Sequence, residues 1–270
     1  MTKPRARVTA RETQPSQRIA DALRVAGDTR ALQLGEGVIG RSADVFQCQF
    51  PNSSAVIVAD RNTLAAAGRQ VLEVLKQAGV PTSDPVIFAE PGLHAEYQHV
   101  ERLQATLNAT GAVPVAVGSG TINDLTKLAA HLCGRPYLVV ATAASMDGYA
   151  ACGASITRHG SKETFSCPAP RAVIADLDVV CRAPAELNAA GYADLVAKST
   201  AGADWMLADA AGIERLDTQA WDLVQTHLRA WISDPDGVRG GDRAALQGLT
   251  EGLLMTGLAM QHCRSSRPAS

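Results

Sequence analysis

Short apolar runs alternate with longer, helix-periodic segments between about residues 54 and 178. The runs are rich in Val, Ile and Ala, and the longer segments repeat apolar residues near the period of an α-helix. This alternation is typical of βαβ units, in which helices cover a mostly parallel sheet. The pattern predicts strands at residues 55–59, 86–89, 113–117, 137–141 and 172–175, and helices at residues 63–78, 94–108 and 121–132.

The pattern changes after Pro184. From there to Cys263 the sequence is rich in Ala and Leu, carries no strand signal and is broken by a turn-rich patch at residues 233–242. We therefore predict an α/β protein with a Rossmann-like parallel sheet, followed by an all-helical domain. The predicted organisation is a disordered polar tail at residues 1–20, a nucleotide-binding domain at 21–180 and a helical domain at 181–270.

The composition and net charge of the chain indicate which class of molecule it binds. The chain has 270 residues, of which 46% are hydrophobic and 19% are charged, and its formal net charge is -2. This balance favours a globular protein that binds a small molecule, and it gives no attraction to nucleic acid or an anionic membrane. With no long apolar stretch and no secretory signal, we expect no membrane insertion and a cytoplasmic location. Six dispersed cysteines without a C-x-x-C pair predict buried free thiols rather than a zinc knuckle.

One strand-to-helix junction has the character of a phosphate site. The predicted strand at 113–117 runs through Gly118-Ser119-Gly120 into a helix that starts near Thr121. Glycines allow close backbone approach, and the free amides of a first helical turn attract a phosphate. Asn123 stands where the full dinucleotide pattern has its third glycine, so an ordinary tight turn is an alternative interpretation.

Two further strand ends carry polar side chains that suit a cofactor or a substrate. Asp60 follows a predicted strand, where its carboxylate can accept hydrogen bonds from a ribose diol and so favours NAD, whereas the adjacent Arg61 favours NADP. Thr142 and Ser145 follow another strand and offer hydroxyl groups, and Asp147 can accept from a substrate hydroxyl. Strand termination by Asp60 and helix capping by Asp147 are the structural alternatives.

The start of the helical region holds an acid and a base on one helix face. Asp194 and Lys198 are four residues apart, beside a space left by Gly191 and Ala193. The pair can line a pocket between the two domains, or it can be an ordinary surface ion pair. The sequence leaves open whether Lys162, Lys198 or residues beyond the end of the chain bind a substrate phosphate.

Taken in order, these motifs resemble the glycerol-1-phosphate dehydrogenase branch of the iron-containing alcohol dehydrogenase superfamily. Each motif is weak alone, and their order along the chain makes the match specific. The resemblance covers residues 31–270 and rests on four segments: Gly118-Ser119-Gly120-Thr121-Ile122-Asn123-Asp124, Thr142-Ala143-Ala144-Ser145-Met146-Asp147-Gly148-Tyr149, Ile174-Ala175-Asp176 and Ala190-Gly191-Tyr192-Ala193-Asp194-Leu195.

The resemblance implies a dehydrogenase that interconverts dihydroxyacetone phosphate and sn-glycerol 1-phosphate, or a similar polyol phosphate. It implies NAD or NADP as cofactor and a divalent metal between the domains, zinc first, with iron or nickel as alternatives; the metal would polarise the substrate carbonyl. Asp194 is the implied metal ligand and, with Asp147, the implied substrate contact. The full set of predicted cofactor contacts is Asp60, Gly118, Ser119, Gly120, Thr121, Asp124, Thr142 and Ser145.

Two departures from the family pattern stand out. Ala151 lies four positions after Asp147, where family members usually carry a hydroxyl residue. The chain also ends at Ser270, just before the family's glycine-glutamate-histidine segment, which supplies one metal histidine and precedes another. We therefore expect a truncated or degenerate chain with an incomplete helical domain, impaired activity and exposed apolar residues at 249–260. The histidines of the chain itself, His262 included, are not expected to be ligands.

Two other functions stay open. A cyclase or lyase similar to dehydroquinate synthase would keep the fold and the metal and would recycle NAD. A non-catalytic protein would bind nucleotide and act through a partner. The run of small and hydroxyl residues before Asp147 favours the dehydrogenase over the cyclase, and the presence of both Asp147 and Asp194 argues against a non-catalytic module. A homo-oligomer is compatible with all three functions.

Overall fold

The computed structural model describes residues 15–270, and its centre is a six-stranded sheet in which every strand pairing is parallel. Eight strands are found in the described part of the chain: β1 (Ala31–Gly35), β2 (Ala55–Asp60), β3 (Val86–Phe88), β4 (Val113–Gly118), β5 (Leu138–Ala141), β6 (Ala154–Arg158), β7 (Ser161–Phe165) and β8 (Ala172–Asp176). The sheet has the order β1-β8-β5-β4-β2-β3, and β6 and β7 form a separate antiparallel hairpin. All five predicted strands are present, each within one residue of its predicted ends.

Helices make up most of the remaining structure. They are α1 (Pro15–Val25), α2 (Ser42–Gln49), α3 (Arg61–Thr63), α4 (Arg69–Gln77), α5 (Tyr97–Thr110), α6 (Gly120–Leu132), α7 (Leu177–Val180), α8 (Ala185–Ala210), α9 (Thr218–Trp231), α10 (Pro235–Gly240) and α11 (Arg243–Cys263). Short 3-10 turns lie at Val38–Arg41 and Asp147–Tyr149, and a π-helical turn lies at Leu64–Gly68.

Both faces of the sheet are covered because successive side chains of a strand point to opposite faces. On β4, Ala116 belongs to one apolar cluster with Leu125 of α6, while Val115 belongs to the other with Val71 of α4. Buried strands sandwiched by helices confirm the predicted α/β fold. No strand follows β8 within residues 15–270, as the helical pattern after Pro184 predicts. The division of the chain at residue 180 stays a prediction.

The connection after β2 is built in three pieces rather than as the single helix predicted at residues 63–78. Helix α3 is one short turn, a π-helical turn follows at Leu64–Gly68, and α4 continues to Gln77. Such π turns inside helices often occur at functional sites because the extra residue re-aims the neighbouring backbone. Here the residues Ala65 and Ala66 of the π turn line a cleft at the edge of the sheet.

Strand β1 and the β6–β7 hairpin were not predicted from the sequence. Strand β1 pairs with β8 at the edge of the sheet, and only Leu32 of its five residues is buried. The β6–β7 hairpin reverses at His159 and Gly160, with φ angles of 52° and 80°. Strand β7 is exposed over nearly its whole length. Both elements lack the apolar run of a buried strand, so their sequences give no strand signal.

Helix α1 occupies part of the predicted disordered tail. Residues 1–14 of that tail lie outside the described residues, but α1 begins at Pro15 and buries Ile19 and Ala22 in the main apolar cluster. Its Arg18 forms an ion pair with Glu251 of α11, with 2.6 Å between Nε and Oε1. The prediction of a tail is therefore wrong for residues 15–20, because apolar residues three apart give this segment a helix face to bury.

The predicted exposure of residues 249–260 is also wrong. In α11 this stretch is buried throughout except for Met260, which is partly exposed. Helices α1, α8 and α9 and the 3-10 turn at Asp147–Tyr149 pack around it. An all-round apolar helix is the sequence signature of such a central position.

Two further expectations concern the state of the cysteines and the absence of membrane-spanning helices. All six cysteines are free thiols, as predicted, and Cys167 is buried. Cys48 and Cys152 are exposed, so the prediction of burial is wrong for these two. Within residues 15–270 no helix combines the length and the apolar character needed to cross a lipid bilayer.

Candidate functional site

The carboxyl ends of β2 and β4 border a cleft that brings several predicted cofactor residues together. Asp60, Ser119 and Thr142 line one cavity of ≈ 490 Å³, and Asp60, Ser119 and Thr121 line a second of the same volume. The helix after β2 lies on one face of the sheet and the helix after β4 on the other, so the crevice between these strands is a topological switch point. Open α/β sheets bind their ligands at such points. We call this crevice the cofactor cleft.

The two glycines at the end of β4 are required for packing inside the protein. A Cβ atom on Gly118 would lie 2.5 Å from Cβ of Ile122, and one on Gly120 would lie 2.9 Å from the sulfur of Met146. The glycines therefore let α6 start directly at the strand and let the loop with Met146 cross its first turn. No side chain caps this helix at Ser119, so the first-turn amides keep donors available for an anion.

Asp60 has a structural role that the sequence left as an alternative. Its Oδ1 accepts a hydrogen bond from the Thr63 amide at 2.8 Å, and the Thr63 hydroxyl accepts from the Asp60 amide at 3.1 Å. This reciprocal capping box fixes the first turn of α3. The same carboxylate borders both cavities of the cofactor cleft, so capping and ligand contact are compatible at this residue.

The hydroxyl residues after β5 differ in their surroundings. Thr142 is buried, donates its amide to Gly118 O at 3.2 Å and lines the cofactor cleft. The Ser145 hydroxyl instead forms a 3.0 Å hydrogen bond with the hydroxyl of buried Tyr149. Burial raises the pKa of Tyr149, so its hydroxyl stays protonated and can donate to Ser145. Thr142 is thus placed to contact a ligand, and Ser145 is held by its neighbour.

Asp124 is bonded to residues that do not line the cofactor cleft. Its Oδ2 accepts from the Ser155 amide at 3.2 Å and its Oδ1 lies 3.7 Å from the Lys127 ammonium group. Burial raises the pKa of Asp124, and the Lys127 charge lowers it. Asp124 therefore anchors strand β6 to helix α6. Contact between this carboxylate and a cofactor stays a prediction.

Lys198 joins the two predicted substrate residues. Its ammonium group lies 2.6 Å from Asp147 Oδ2 and 2.6 Å from Asp194 Oδ1, and its side chain is only 2% exposed. The second oxygen of Asp194 accepts the Asp147 amide at 2.9 Å. Burial raises the pKa of Asp147, and the charge of Lys198 opposes that rise. We call Asp147, Asp194 and Lys198 the junction cluster, because it links the sheet loop to α8.

The loop at residues 143–151 is held by close backbone contacts. A Cβ atom on Gly191 of α8 would lie 1.9 Å from Ala144 O, and one on Gly257 of α11 would lie 2.8 Å from Asp147 O. The Lys127 ammonium group donates to the carbonyls of Gly148, Ala151 and Gly153, each at 2.9 Å. These contacts fix the position of Asp147 independently of any ligand.

The sequence analysis missed two of the residues that shape this site. The sequence analysis names neither Lys127 nor Asn188, although the buried Oδ1 of Asn188 accepts the Ala144 amide at 3.0 Å. A lysine among apolar residues on the buried side of α6 is the signal that could have identified Lys127. For Asn188 the sequence offers no comparable signal.

The junction cluster does not by itself make a metal site. Both oxygens of Asp194 are in hydrogen bonds or ion pairs with Lys198 and Asp147. Within residues 15–270 no three His, Cys, Asp or Glu side chains converge closely enough to hold a metal ion. His262 lies 3.5 Å from Asp217 and His227 packs against Trp231. A catalytic metal needs about three protein ligands, so the described residues do not fit it.

Comparison with known proteins agrees with this geometry. Residues 33–184 match the family model described as iron-containing alcohol dehydrogenase. The chain is 31% identical to the glycerol-1-phosphate dehydrogenase [NAD(P)+] of Halalkalibacterium halodurans, over 94% of this chain and 65% of that protein. The proteins of the same name from Bacillus velezensis and Pyrococcus furiosus are 33% and 34% identical, over 88% and 89% of this chain and 62% and 68% of theirs. The chain thus spans less than two thirds of the length of the first two relatives.

Solved structures show the same fold. A probable glycerol dehydrogenase from Sinorhizobium meliloti 1021 superposes with a TM-score of 0.71 at 20% identity, over 88% of this chain and 67% of that one. The maleylacetate reductase from Rhizobium sp. strain MTP-10005 gives 0.69 at 20% identity, over 87% and 63%. The match of 33–184, the 34% identical relative and the shared fold lead to one conclusion: this chain belongs to the iron-containing alcohol dehydrogenase family.

Proposed function

We propose that the chain is an NAD(P)-dependent dehydrogenase that interconverts dihydroxyacetone phosphate and sn-glycerol 1-phosphate, or a closely similar polyol phosphate. The observation that carries the proposal is the junction cluster, in which two carboxylates and a buried ammonium group converge. The names of the most similar relatives give the reaction and the NAD(P)+ requirement of those proteins.

The cofactor would lie across the carboxyl ends of β2 and β4. Its pyrophosphate would bind the free amides of Ser119, Gly120 and Thr121, and Asp60 would accept hydrogen bonds from a ribose. Thr142 would contact the same molecule from the neighbouring strand. When bound, NAD(P) supplies or accepts the hydride. Gly118, Asp124 and Ser145 complete the proposed contacts, and each of them also has a structural role.

The substrate would bind at the junction cluster. A carboxylate with a raised pKa, such as Asp147, suits a hydrogen bond with a substrate hydroxyl. The single charge of Lys198 offsets one of the two negative charges and keeps the carboxylates at a fixed separation, so a polyol hydroxyl meets a preformed pair of acceptors. The family also implies zinc at Asp194, with iron or nickel as alternatives, and Asp194 alone supplies one of the about three protein ligands that such an ion needs.

The test is a spectrophotometric assay of NADH and NADPH oxidation with dihydroxyacetone phosphate, with and without added zinc. We expect activity that Asp147→Asn reduces strongly and that Glu186→Gln leaves unchanged, because Glu186 is exposed at the start of the same helix as Asp194. Oxidation of neither cofactor, while NADH still binds, would contradict the proposed reaction. Equal activity in both variants would contradict the assignment of Asp147.

A further inference from the structure

A second pocket lies at the edge of the sheet opposite to the cofactor cleft. It has a volume of ≈ 330 Å³ and is bordered by residues that precede strands: Arg30 before β1, Arg171 before β8 and Arg135 shortly before β5. The proposed cofactor and substrate residues follow strands instead. Because the sheet is parallel, the two groups of residues lie at opposite edges. We call this pocket the amino-edge pocket.

The strand register brings two arginines of the amino-edge pocket side by side. The Arg30 amide donates to Arg171 O at 2.8 Å, one position before the paired residues Ala31 and Ala172. Like charges on directly neighbouring strand positions destabilise a sheet. Both arginines are exposed, and within residues 15–270 neither guanidinium group has a carboxylate or another hydrogen-bond partner. The fold therefore holds two like charges together without offsetting them.

The other charged groups of the pocket leave it positive. Among the described residues of its wall, Asp28 is the one carboxylate, and its Oδ2 already accepts from the Ala169 amide at 3.0 Å and the Cys152 thiol at 3.5 Å. Arg135 donates to backbone carbonyls of Leu107 and Ala112, which carry no net charge. The wall also includes Lys127, so four cationic side chains against one carboxylate give a local excess of positive charge.

The amino-edge pocket adjoins a larger cavity of ≈ 630 Å³ that shares four of its wall residues. Hydroxyl groups and one more cation line this neighbour, from Thr164, Ser166, Arg264, Ser265 and Ser266. A positively charged pocket next to a hydroxyl-lined cavity suits a molecule with an anionic group at one end and a polar body.

We propose that the amino-edge pocket binds a small phosphate-bearing molecule, with its phosphate between Arg30 and Arg171 and its polar body along the adjoining cavity. A guanidinium group presents two parallel donors that match phosphate oxygens, and two such groups can hold one phosphate from both sides. The bound phosphate would also remove the repulsion between the arginines. This site is distinct from the cofactor cleft, and it is independent of the proposed reaction.

The test is isothermal titration calorimetry of the chain with inorganic phosphate and with ribose 5-phosphate, on the wild type, the double variant Arg30→Gln/Arg171→Gln and the control Arg229→Gln. Arg229 is an exposed arginine on α9, far along the chain from either pocket. We expect the double variant to bind ribose 5-phosphate about tenfold more weakly or worse, since two charge-assisted contacts are lost, and the control to match the wild type. We also expect ribose 5-phosphate to bind more tightly than inorganic phosphate.

Each alternative result is decisive. Equal affinity in the double variant and the wild type would place the phosphate elsewhere, for example in the cofactor cleft, and would overturn the proposal. Equal affinity for inorganic phosphate and ribose 5-phosphate would overturn the proposal that the polar body of the ligand lies along the adjoining cavity. Thermal melting without phosphate provides a second check, because removing two repelling charges should leave the melting temperature equal or higher. A lower melting temperature would show that the arginines have a structural role instead.

Discussion

Lys198 is the residue on which the geometry of the junction cluster depends most, because its ammonium group is the only cation that the described residues place between Asp147 and Asp194. Replacing it with Met would leave two partly buried carboxylates facing each other without a counter-charge. We expect Lys198→Met to lower the free energy of unfolding by about 3–5 kcal/mol, the usual cost of breaking a buried ion pair. Urea denaturation of the purified variant measures this loss.

The double variant Lys198→Met/Asp147→Asn is the matched control for that prediction. Neutralising one carboxylate removes the repulsion, so we expect it to recover part of the stability lost in the single variant. The contradicting outcome is strict additivity. If Asp147→Asn lowers the free energy of unfolding by the same amount in the Lys198→Met variant as in the wild type, the two residues are not coupled and their ion pair contributes nothing.

The effect of Asp60 on the preference between NAD and NADP can be tested without disturbing its capping of helix α3. Asn caps a helix about as well as Asp, so Asp60→Asn should change stability by no more than about 0.5 kcal/mol. The variant loses the negative charge that would repel a 2′-phosphate, and we expect the preference for NADP over NAD to rise about tenfold. Steady-state rates with both cofactors measure the ratio. An unchanged ratio would show that Asp60 only caps helix α3.

Single residues also show where the sequence was informative. Asp60, Ser119, Thr121 and Thr142 were predicted as neighbours of a ligand because each follows a parallel strand, and the structure brings them to one cleft. Ser145 and Asp124 have the same chemical character but are bonded to Tyr149 and to the Ser155 amide. Strand position predicts which edge a residue occupies, whereas the direction of its side chain depends on neighbours distant in sequence.

At the scale of elements, the contact between helix α8 and the loop after β5 is the closest approach in the site. Gly191 is the point of contact, since a Cβ atom there would lie 1.9 Å from Ala144 O. We expect Gly191→Ala to lower the free energy of unfolding by about 3 kcal/mol or more, because rigid backbone must move to admit the methyl group. Chemical denaturation measures the change, and loss of the assayed activity should accompany it.

Gly248→Ala in α11 is the matched control, because its Cβ atom would meet nothing closer than 3.8 Å. In a helix interior, Ala is favoured over Gly by about 0.5–1 kcal/mol, so this variant should be slightly more stable than the wild type. A small effect of Gly191→Ala, similar to that of the control, would mean that α8 does not pack this closely against the loop.

Long elements were predictable and short ones were not. Helices α5 and α6 and the five apolar strands carry a clear period in the sequence, and their predicted ends lie within about three residues of the observed ones. Strand β1 and the β6–β7 hairpin have few buried residues, and the π turn after α3 has no distinct sequence pattern. Such elements form because a neighbour supplies hydrogen bonds or packing, which a local pattern does not contain.

At the scale of the whole molecule, helix α1 ties the beginning of the described chain to its end. Ile19 is buried against the apolar cluster that includes Leu253 and Leu254 of α11. We expect Ile19→Ala to lower the free energy of unfolding by about 2–5 kcal/mol, the usual cost of emptying such a site. Arg24→Ala on the exposed side of α1 should change it by less than about 0.5 kcal/mol. Equal effects in both variants, measured by thermal or urea unfolding, would contradict the docking of α1 on α11.

The sequence by itself determined the class of the fold, the strands of the buried sheet and the edge at which the proposed cofactor residues gather. The strands follow from the apolar period within short segments. The edge follows from the parallel direction of the strands, which brings the residues after each strand to the same side of the sheet. Tertiary structure alone decided that Lys198 bridges Asp147 and Asp194, that Lys127 holds the loop beside them, and that Arg30 and Arg171 share one pocket. Each of these arrangements joins residues from separate elements, and their contact depends on how helices and strands pack rather than on any pattern within them.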